Sequence, residues 1–397
     1  MARILVLDGH SAAALAVTRS AGGAGHWVAV GANLGAFAPA KLSRFCSLAF
    51  DYPVSTSEPR TFVDSVLEFV RTNAIDLVIP VTDWTLGPLS DDRERFRGIC
   101  GIALPSREAL ASASDKYRTI QMAQSIGINV PETKLVTSRE GFPDFNSHPF
   151  PLVVKDRFSV RWADNGAVFG SVSYAYSASD LRARVTERLH AAGDVLVQEF
   201  LSGIGIGFSC FVVGGECYLP FQWERVREVD PRGSASSARK SMPLDSKLVA
   251  QSEELITRMG FEGIAMVEYK RTADGRFVLM EINGRPWGSI GLAIASGIDY
   301  PRHLIDWYLQ GKLPPQKIVY PENILCRRAV GELTHLSNIR KGRPQNWLGG
   351  YPTFWSSFFK MALPWRPGMC YDDLWLSDPR PGIAGLRNWL KVRLKGN

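Results

Sequence analysis

The chain has 397 residues, 45% of them apolar, six cysteines and a formal charge of +7. That length suits two or three packed units, and the modest charge fits an anionic substrate; without a basic stripe interleaved with aromatics it excludes a nucleic-acid binder. Cys46, Cys100, Cys210, Cys217, Cys326 and Cys370 are scattered, with no Cys-x-x-Cys and no histidine at ligand spacing, so a zinc site and a disulfide framework are excluded and free thiols in a reducing cytoplasm are expected. No leader pattern opens the chain, and no apolar run approaches the ~20 residues that span a bilayer.

In chain order, residues 1–105 alternate short apolar runs with helical stretches. A strand over 3–9 leads into an Ala-rich helix from about Ser11, then a strand over 26–32. A helix over 62–74 precedes a buried run over 75–81. This alternation predicts a parallel sheet covered on both faces. The first turn, Gly9-His10-Ser11-Ala12, is not GxGxxG, so dinucleotide binding is not supported. A helix follows from Ser114, with Gly127 as its stop and Pro131 just beyond.

Residues 149–160 form a β-run with one lysine, Lys155, and the polar stretch 161–171 reads as a mobile hairpin loop. After a helix from about Ser179, a strand over 194–201 reaches Gly203, Gly205 and Gly207. These glycines sit between two strands, so they read as a flexible connection and not a phosphate cradle. The polar, basic stretch 224–242 reads as a lid over an anionic site, or as a solvated surface loop. Within it, Arg225, Arg227, Arg239 and Lys240 suggest an acidic or phosphorylated substrate.

The most informative segment is 264–289. Two β-rich runs flank Asp274-Gly275, a strong hairpin signal. With Asp274 and Gly275 as a two-residue loop, Glu268 faces Glu281 across the strands and Met266 faces Asn283; a three-residue loop would break that register. Period-two alternation puts Val267, Tyr269, Val278, Met280 and Ile282 on the buried face. Carboxylates directly opposite one another repel, so something must offset them. Two carboxylates and an amide oxygen are a hard, all-oxygen set suited to Mg²⁺ bridging a nucleotide's phosphates, against the plainer reading of a solvent-facing hairpin.

A helix is expected after Ser289, ending near Gly311. Residues 313–397 are rich in aromatics, among them Trp347, Trp355, Phe358, Phe359, Trp365 and Trp389, and end in a basic run. Packing on the main body is the favoured reading of this stretch. A peripheral contact with an anionic membrane surface is the second. His10, His26 and His148 form no nucleophile–base arrangement and read as structural or surface residues.

Taken in order, Asp115-Lys116, Val153-Val154-Lys155, Val197 to Phe200, Glu268 and Glu281-Ile282-Asn283 resemble the ATP-grasp superfamily over residues 1–310, and especially its carbamoyl-phosphate-synthetase-like carboxylate–amine ligase branch. The resemblance implies a mixed α/β and α+β chain. Its parts would be a Rossmann-like domain over 1–108, a small ATP-grasp lobe over 109–190, a large lobe with the metal site over 191–312, and an aromatic, basic extension over 313–397. It implies ATP with Mg²⁺, or Mn²⁺ in its place, as cofactors. Lys116 and Lys155 would meet the phosphates, and Gln198, Glu199, Phe200 and Leu201 the adenine. Glu268, Glu281 and Asn283 would hold the metal, and Arg285 would face the transferred phosphoryl group. Gly288 and Ser289 would offer backbone N–H groups at a helix start, a natural anion site.

Two departures stand out. The glycines at 203–207 replace the acidic ribose contact of many members, and Met266 replaces an arginine found in D-alanine–D-alanine ligases. The implied reaction is amide formation between small-molecule carboxylate and amine substrates through an acyl phosphate, by a cytoplasmic enzyme that is monomeric or homo-oligomeric. Its rivals are a bicarbonate-using carboxylase on the same ATP site and a non-catalytic nucleotide-binding protein that docks through its tail.

Overall fold

The computed structural model describes residues 1–137, 149–163, 166–362 and 367–395. His148 and Trp365 lie outside these residues. Strands β1 (Arg3–Val6), β2 (Trp27–Asn33), β3 (Leu48–Tyr52), β4 (Leu77–Ile79) and β5 (Gly101–Ile102) form a parallel sheet in the order β3-β2-β1-β4-β5. Alternation sends Ile4, Val6, Val28 and Ile79 to one face, where they pack with helix α1 (Ala12–Gly23). Leu5, Leu7, Ala29 and Val78 go to the other, against Phe62, Val66 and Val70 of α2 (Pro59–Thr72). Strand order reverses between β1 and β4, and such a switch point opens a crevice at the strands' carboxyl ends. Helix α3 (Asp83–Asp91) begins there.

Helices α4 (Arg107–Ser114) and α5 (Lys116–Ser125) lead out of this unit. Asp115 caps α5 by accepting from the N–H groups of Tyr117 and Arg118. The helix expected from Ser114 is thus there, but α4 ahead of it was not foreseen. A second sheet, ordered β10-β7-β11-β6, contains β6 (Thr133–Val136), β7 (Leu152–Asp156), β10 (Val172–Ala175) and β11 (Val195–Glu199). It buries Leu152, Val154, Val195 and Val197 against α6 (Ala178–Ala192). Between β7 and β10, β8 (Val160–Ala163) pairs with β9 (Gly166–Phe169) as a hairpin.

The third sheet has seven strands in the order β16-β15-β12-β13-β14-β17-β18. These are β12 (Ile204–Val213), β13 (Glu216–Glu228), β14 (Ser236–Met242), β15 (Gly263–Arg271), β16 (Phe277–Asn283), β17 (Leu325–Arg327) and β18 (Met369–Tyr371). Helix α7 (Ser246–Arg258) covers one face, with Leu248, Leu255 and Ile256 buried against Phe208, Val267 and Tyr269. On the other face lie α8 (Ile290–Ala295) and α9 (Tyr300–Gln310). The single helix expected to Gly311 is therefore two, broken at Gly297, and Gly311 ends the second with a φ of 64°.

Two expectations are corrected here. The stretch 224–242 is not a lid: most of it belongs to β13 and β14 inside the large sheet, joined by a short turn. The glycines at 205 and 207 are not a flexible connection but lie within β12. A Cβ on Gly207 would come 2.1 Å from Trp223 Cε2, and one on Gly205 would come 2.5 Å from Arg225 Cδ, so their absent side chains make room for these two residues. Residues beyond 312 supply β17 and β18 to the sheet. They also supply α10 (Ala329–Arg340), α11 (Phe354–Met361) and α12 (Arg380–Lys395); Trp347 is buried as the packing reading expects, whereas Trp355, Phe358 and Phe359 of α11 and Leu390, Val392 and Leu394 of α12 are exposed. Arg19 of α1 and Asp378 pair at 2.8 Å with side chains 1% exposed each, tying the two ends of the chain together. Among the described residues no helix is long and apolar enough to cross a membrane.

Candidate active site

A cleft of about 800 Å³ lies between the second sheet and the third. Of the residues expected at the nucleotide, metal and substrate sites, all line it except Arg227, Arg239, Lys240 and Ser289. The hairpin expected at 264–289 forms, but by a different route. Its loop has three residues, with Thr272 N–H donating to Arg276 C=O and Gly275 at φ 84°, so Arg271 pairs with Phe277. The register next to the loop is therefore one residue off the expected one. A bulge at Met280 restores it, and Glu268 faces Glu281 while Met266 faces Asn283. The bulge also changes the faces: Leu279, not Met280, joins Val267, Tyr269 and Ile282 in the core, and Met280 borders the cleft.

Glu268 does not face Glu281 unaided. Arg225, reaching through the gap left by Gly205, pairs with Glu268 and also donates to Glu228 at 3.1 Å. Burial raises the Glu268 pKa; Arg225 opposes that shift and the charge of Glu281 adds to it. Asn283 Nδ2 donates to Glu281 Oε1 at 3.2 Å. The donor set of Glu268, Glu281 and the Asn283 carbonyl oxygen is hard and anionic, and burial raises the pKa of Glu268 within it. Such a set fits Mg²⁺ or Mn²⁺. Among the described residues no cluster of three or more His, Cys, Asp or Glu side chains offers another metal site.

Two lysines approach the carboxylates from other elements. Lys155 of β7 is 7% exposed, and its pKa is pushed down to about 8, first by burial and then by Lys116, with Glu281 working the other way. Burial likewise lowers Lys116 at the start of α5, against the pull of Glu281, and its Nζ donates to Ser159 Oγ at 2.8 Å. Two like charges held in a partly desolvated cleft suit polyanion binding.

At the outer end, Gln198 is tied into its own sheet, its Nε2 donating to Thr133 Oγ1 at 2.7 Å. Glu199 accepts from the Glu132 N–H at 2.9 Å. Phe200 stacks edge-on with Tyr174 and with Trp347 of the C-terminal segment, ring centroids 5.9 and 5.2 Å apart. Lys270, which the sequence reading missed, lines the same end and donates to Leu201 C=O at 2.8 Å. Its place on β15 two residues after Glu268, and so on the same strand face, was the available signal.

Arg285 ends the cleft in a two-pronged pair with Asp83, Nε and Nη2 each 2.8 Å from a carboxylate oxygen. Burial opposes the Arg285 charge, but the Asp83 carboxylate outweighs it and keeps the pKa above its usual value. Asp83 is the first residue of α3, and that turn is anchored by the buried Asp8. Asp8 accepts from Val81 N–H at 3.0 Å, Thr82 N–H at 2.7 Å and Thr85 Oγ1 at 2.6 Å. Neither aspartate was singled out from the sequence, because the pairing spans 202 positions.

Four residues do not reach the cleft, among them Lys240, which pairs with Glu224 at 3.0 Å. Arg227 binds Glu332 through two bonds of 2.9 and 2.8 Å, and the buried Arg239 pairs with Asp372 at 2.5 Å. Strict alternation would keep Arg227 on the face of Arg225, and the register shift between the two interrupts it. Helix α8 has six residues, and its first N–H, of Ile290, is taken by Trp287 C=O at 3.0 Å. The expected anion seat at Ser289 is therefore not a regular helix start; Gly288 alone borders the cleft. The hairpin β8–β9 leans on the first unit: Ala167 N–H donates to Thr56 C=O at 2.7 Å, and Phe169 meets Trp84 edge-on at 5.5 Å.

A family model described as "ATP-grasp in the biosynthetic pathway with Ter operon" matches residues 192–331. A probable alpha-L-glutamate ligase of Thioalkalivibrio sulfidiphilus is 26% identical over 214 residues, 52% of this chain and 66% of that protein. A ribosomal protein bS6–L-glutamate ligase of Shigella boydii is 28% identical over 220 residues, 54% of this chain and 69% of that protein. The chain thus spans about two thirds of these relatives' length. In fold it is similar to an L-amino acid ligase from Bacillus licheniformis, with a TM-score of 0.59, 16% identity and coverage of 79% and 78% of the two chains. It is also similar to biotin carboxylase from Campylobacter jejuni, with a TM-score of 0.63, 16% identity and coverage of 82% and 74%. The family match falls on the sheet that carries the paired glutamates, and the fold is similar along most of the chain: in these comparisons the chain is similar to ATP-grasp enzymes, among them ligases named for joining glutamate.

Proposed function

We propose that the cleft activates a carboxylate with ATP and joins it to an amine. The observation that carries this reading is convergence: Lys116 of α5, Lys155 of β7, Glu268 of β15, Glu281 and Asn283 of β16, and Arg285 just after it meet in one cavity. A substrate carboxylate oxygen attacks the γ-phosphorus of ATP, the bond to the ADP oxygen breaks, and an acyl phosphate forms. The amine nitrogen then attacks the carbonyl carbon, the C–O bond to phosphate breaks, and the nitrogen releases its surplus protons to solvent. Phosphoryl transfer of this kind depends on positioning and charge neutralisation more than on covalent help.

Lys155 and Lys116 hold the phosphates, and Phe200 and Leu201 border the base. Arg285, kept in place by Asp83, faces the anionic oxygens of the acyl phosphate. Glu268, Glu281 and Asn283 would hold Mg²⁺, which when bound neutralises phosphate charge. Arg225 supplies part of that counter-charge to Glu268. The hairpin β8–β9 shields the reacting groups from water.

Hydroxylamine trapping with ATP and Mg²⁺ over a panel of carboxylic acids tests the reading. Hydroxamate formed by the wild type and not by Glu281→Gln is the expected result. ADP release that depends on bicarbonate, with no hydroxamate from any acid, would replace it with the carboxylase reading.

A further inference from the structure

A second cavity of about 580 Å³ adjoins the cleft and shares with it Lys116, Met280, Glu281, Asn283 and Arg285. Its floor is β16; its walls are α3, α4, α5 and the β8–β9 hairpin. The two spaces therefore meet at the groups that face the reacting phosphate. The hairpin wall is seated by Trp162: a Cβ on Gly87 would come 2.4 Å from its Nε1, so the missing side chain of Gly87 is what lets the indole close the space.

The lining decides what fits. Leu86, Leu110, Ile120, Val160, Trp162 and Met280 give the cavity an apolar stretch, beside the polar and charged groups of α3, α4 and β16. Among the described lining residues, the cations are already engaged. Arg285 is held by Asp83, and Arg107 donates Nε and Nη2 to the carbonyls of Ser90 at 3.1 Å and Asp91 at 2.5 Å. Lys116 sits on the boundary with the main cleft, bonded to Ser159. The carboxylates Asp83, Asp91 and Glu281 balance these three charges. A second anionic group entering here would lose its hydration without gaining a free cation, whereas an apolar group would gain burial. An amine with an apolar side chain is compatible with this wall in a way that one with an additional side-chain carboxylate is not.

We propose that this cavity seats the amine substrate, and that this substrate carries an apolar or aromatic side chain, not the acidic one of glutamate, the amino acid in the names of its relatives. The proposal rests on the ligase reading above for the role of amine, but its test does not depend on turnover. The full chain, with Mg²⁺ and a non-hydrolysable ATP analogue, is titrated calorimetrically with L-phenylalanine, L-leucine and L-glutamate.

Phenylalanine or leucine is expected to bind tighter than glutamate by on the order of tenfold or more. Trp162→Ala should abolish that preference, and Ala111→Arg, on an exposed face of α4 bordering the cavity, should shift it toward glutamate. Glutamate binding as tightly as phenylalanine, no binding of any of the three, or a preference untouched by both variants would overturn the proposal. Hydroxamate formation with one of those results leaves the ligase reading standing and this inference fallen. Selective binding without hydroxamate formation does the reverse.

Discussion

Lys155 shows the conflict between stability and ligand binding most sharply. Its folded pKa of about 8 lies below the ~10.4 of a free lysine, so the unfolded chain binds more protons between those values and stability rises with pH across that window. Below it, holding the ammonium in the cleft costs roughly 3 kcal/mol. Lys155→Met should therefore stabilise the unliganded chain by about 1–3 kcal/mol at pH 7 and flatten the rise between pH 8 and 10. The same change should weaken ATP binding about tenfold or more, through loss of a charge-assisted contact. Urea melts at pH 7 and 9.5 and an ATP titration check both; unchanged nucleotide affinity would remove Lys155 from the site. Glu281→Gln removes one of two facing carboxylates, so folding should change little while catalysis is lost. An active but much less stable variant would count against the metal assignment.

The β15–β16 hairpin shows how far local patterns reach. The pairing of Glu268 with Glu281 came out as expected, but through a three-residue loop and a compensating bulge that the local pattern did not indicate. Two- and three-residue loops both use glycine after aspartate, and only the tertiary contacts of β16 select the longer one with its compensating bulge at Met280. In β12 the glycines could be read only after Trp223 and Arg225 were known to cross the strand above them. Gly207→Ala should destabilise the fold by about 1–3 kcal/mol or more, because the new methyl meets the Trp223 ring with no free space. Equal midpoints in urea for wild type and variant would show that the ring can move aside.

The C-terminal segment is a working part of the fold. Its strands extend the large sheet, Trp347 backs Phe200 at the mouth of the cleft, and Asp378 neutralises Arg19 of the first helix. Despite burial, the carboxyl of Asp378 is held below its usual range, because Arg44 N–H, Arg19 and Ser43 all bind its charged form. Its contribution is thus present above the unfolded pKa and lost as pH falls through the folded one. Asp378→Ala leaves a buried guanidinium unpaired, and a loss of about 3–5 kcal/mol is expected, read from chemical denaturation near neutral pH. A loss near zero would mean that the two ends of the chain are not coupled.

By itself the sequence determined the parallel first sheet, the helix at Lys116 and the lone lysine of β7, because each depends on periodicity or capping within about a dozen residues. Only the tertiary structure decided that 224–242 is sheet and not lid, that Arg225 and not Arg227 or Arg239 reaches the cleft, and that Asp83 holds Arg285. Those outcomes depend on which side chains meet across tens to hundreds of residues, and neither propensity nor spacing along the chain carries that information.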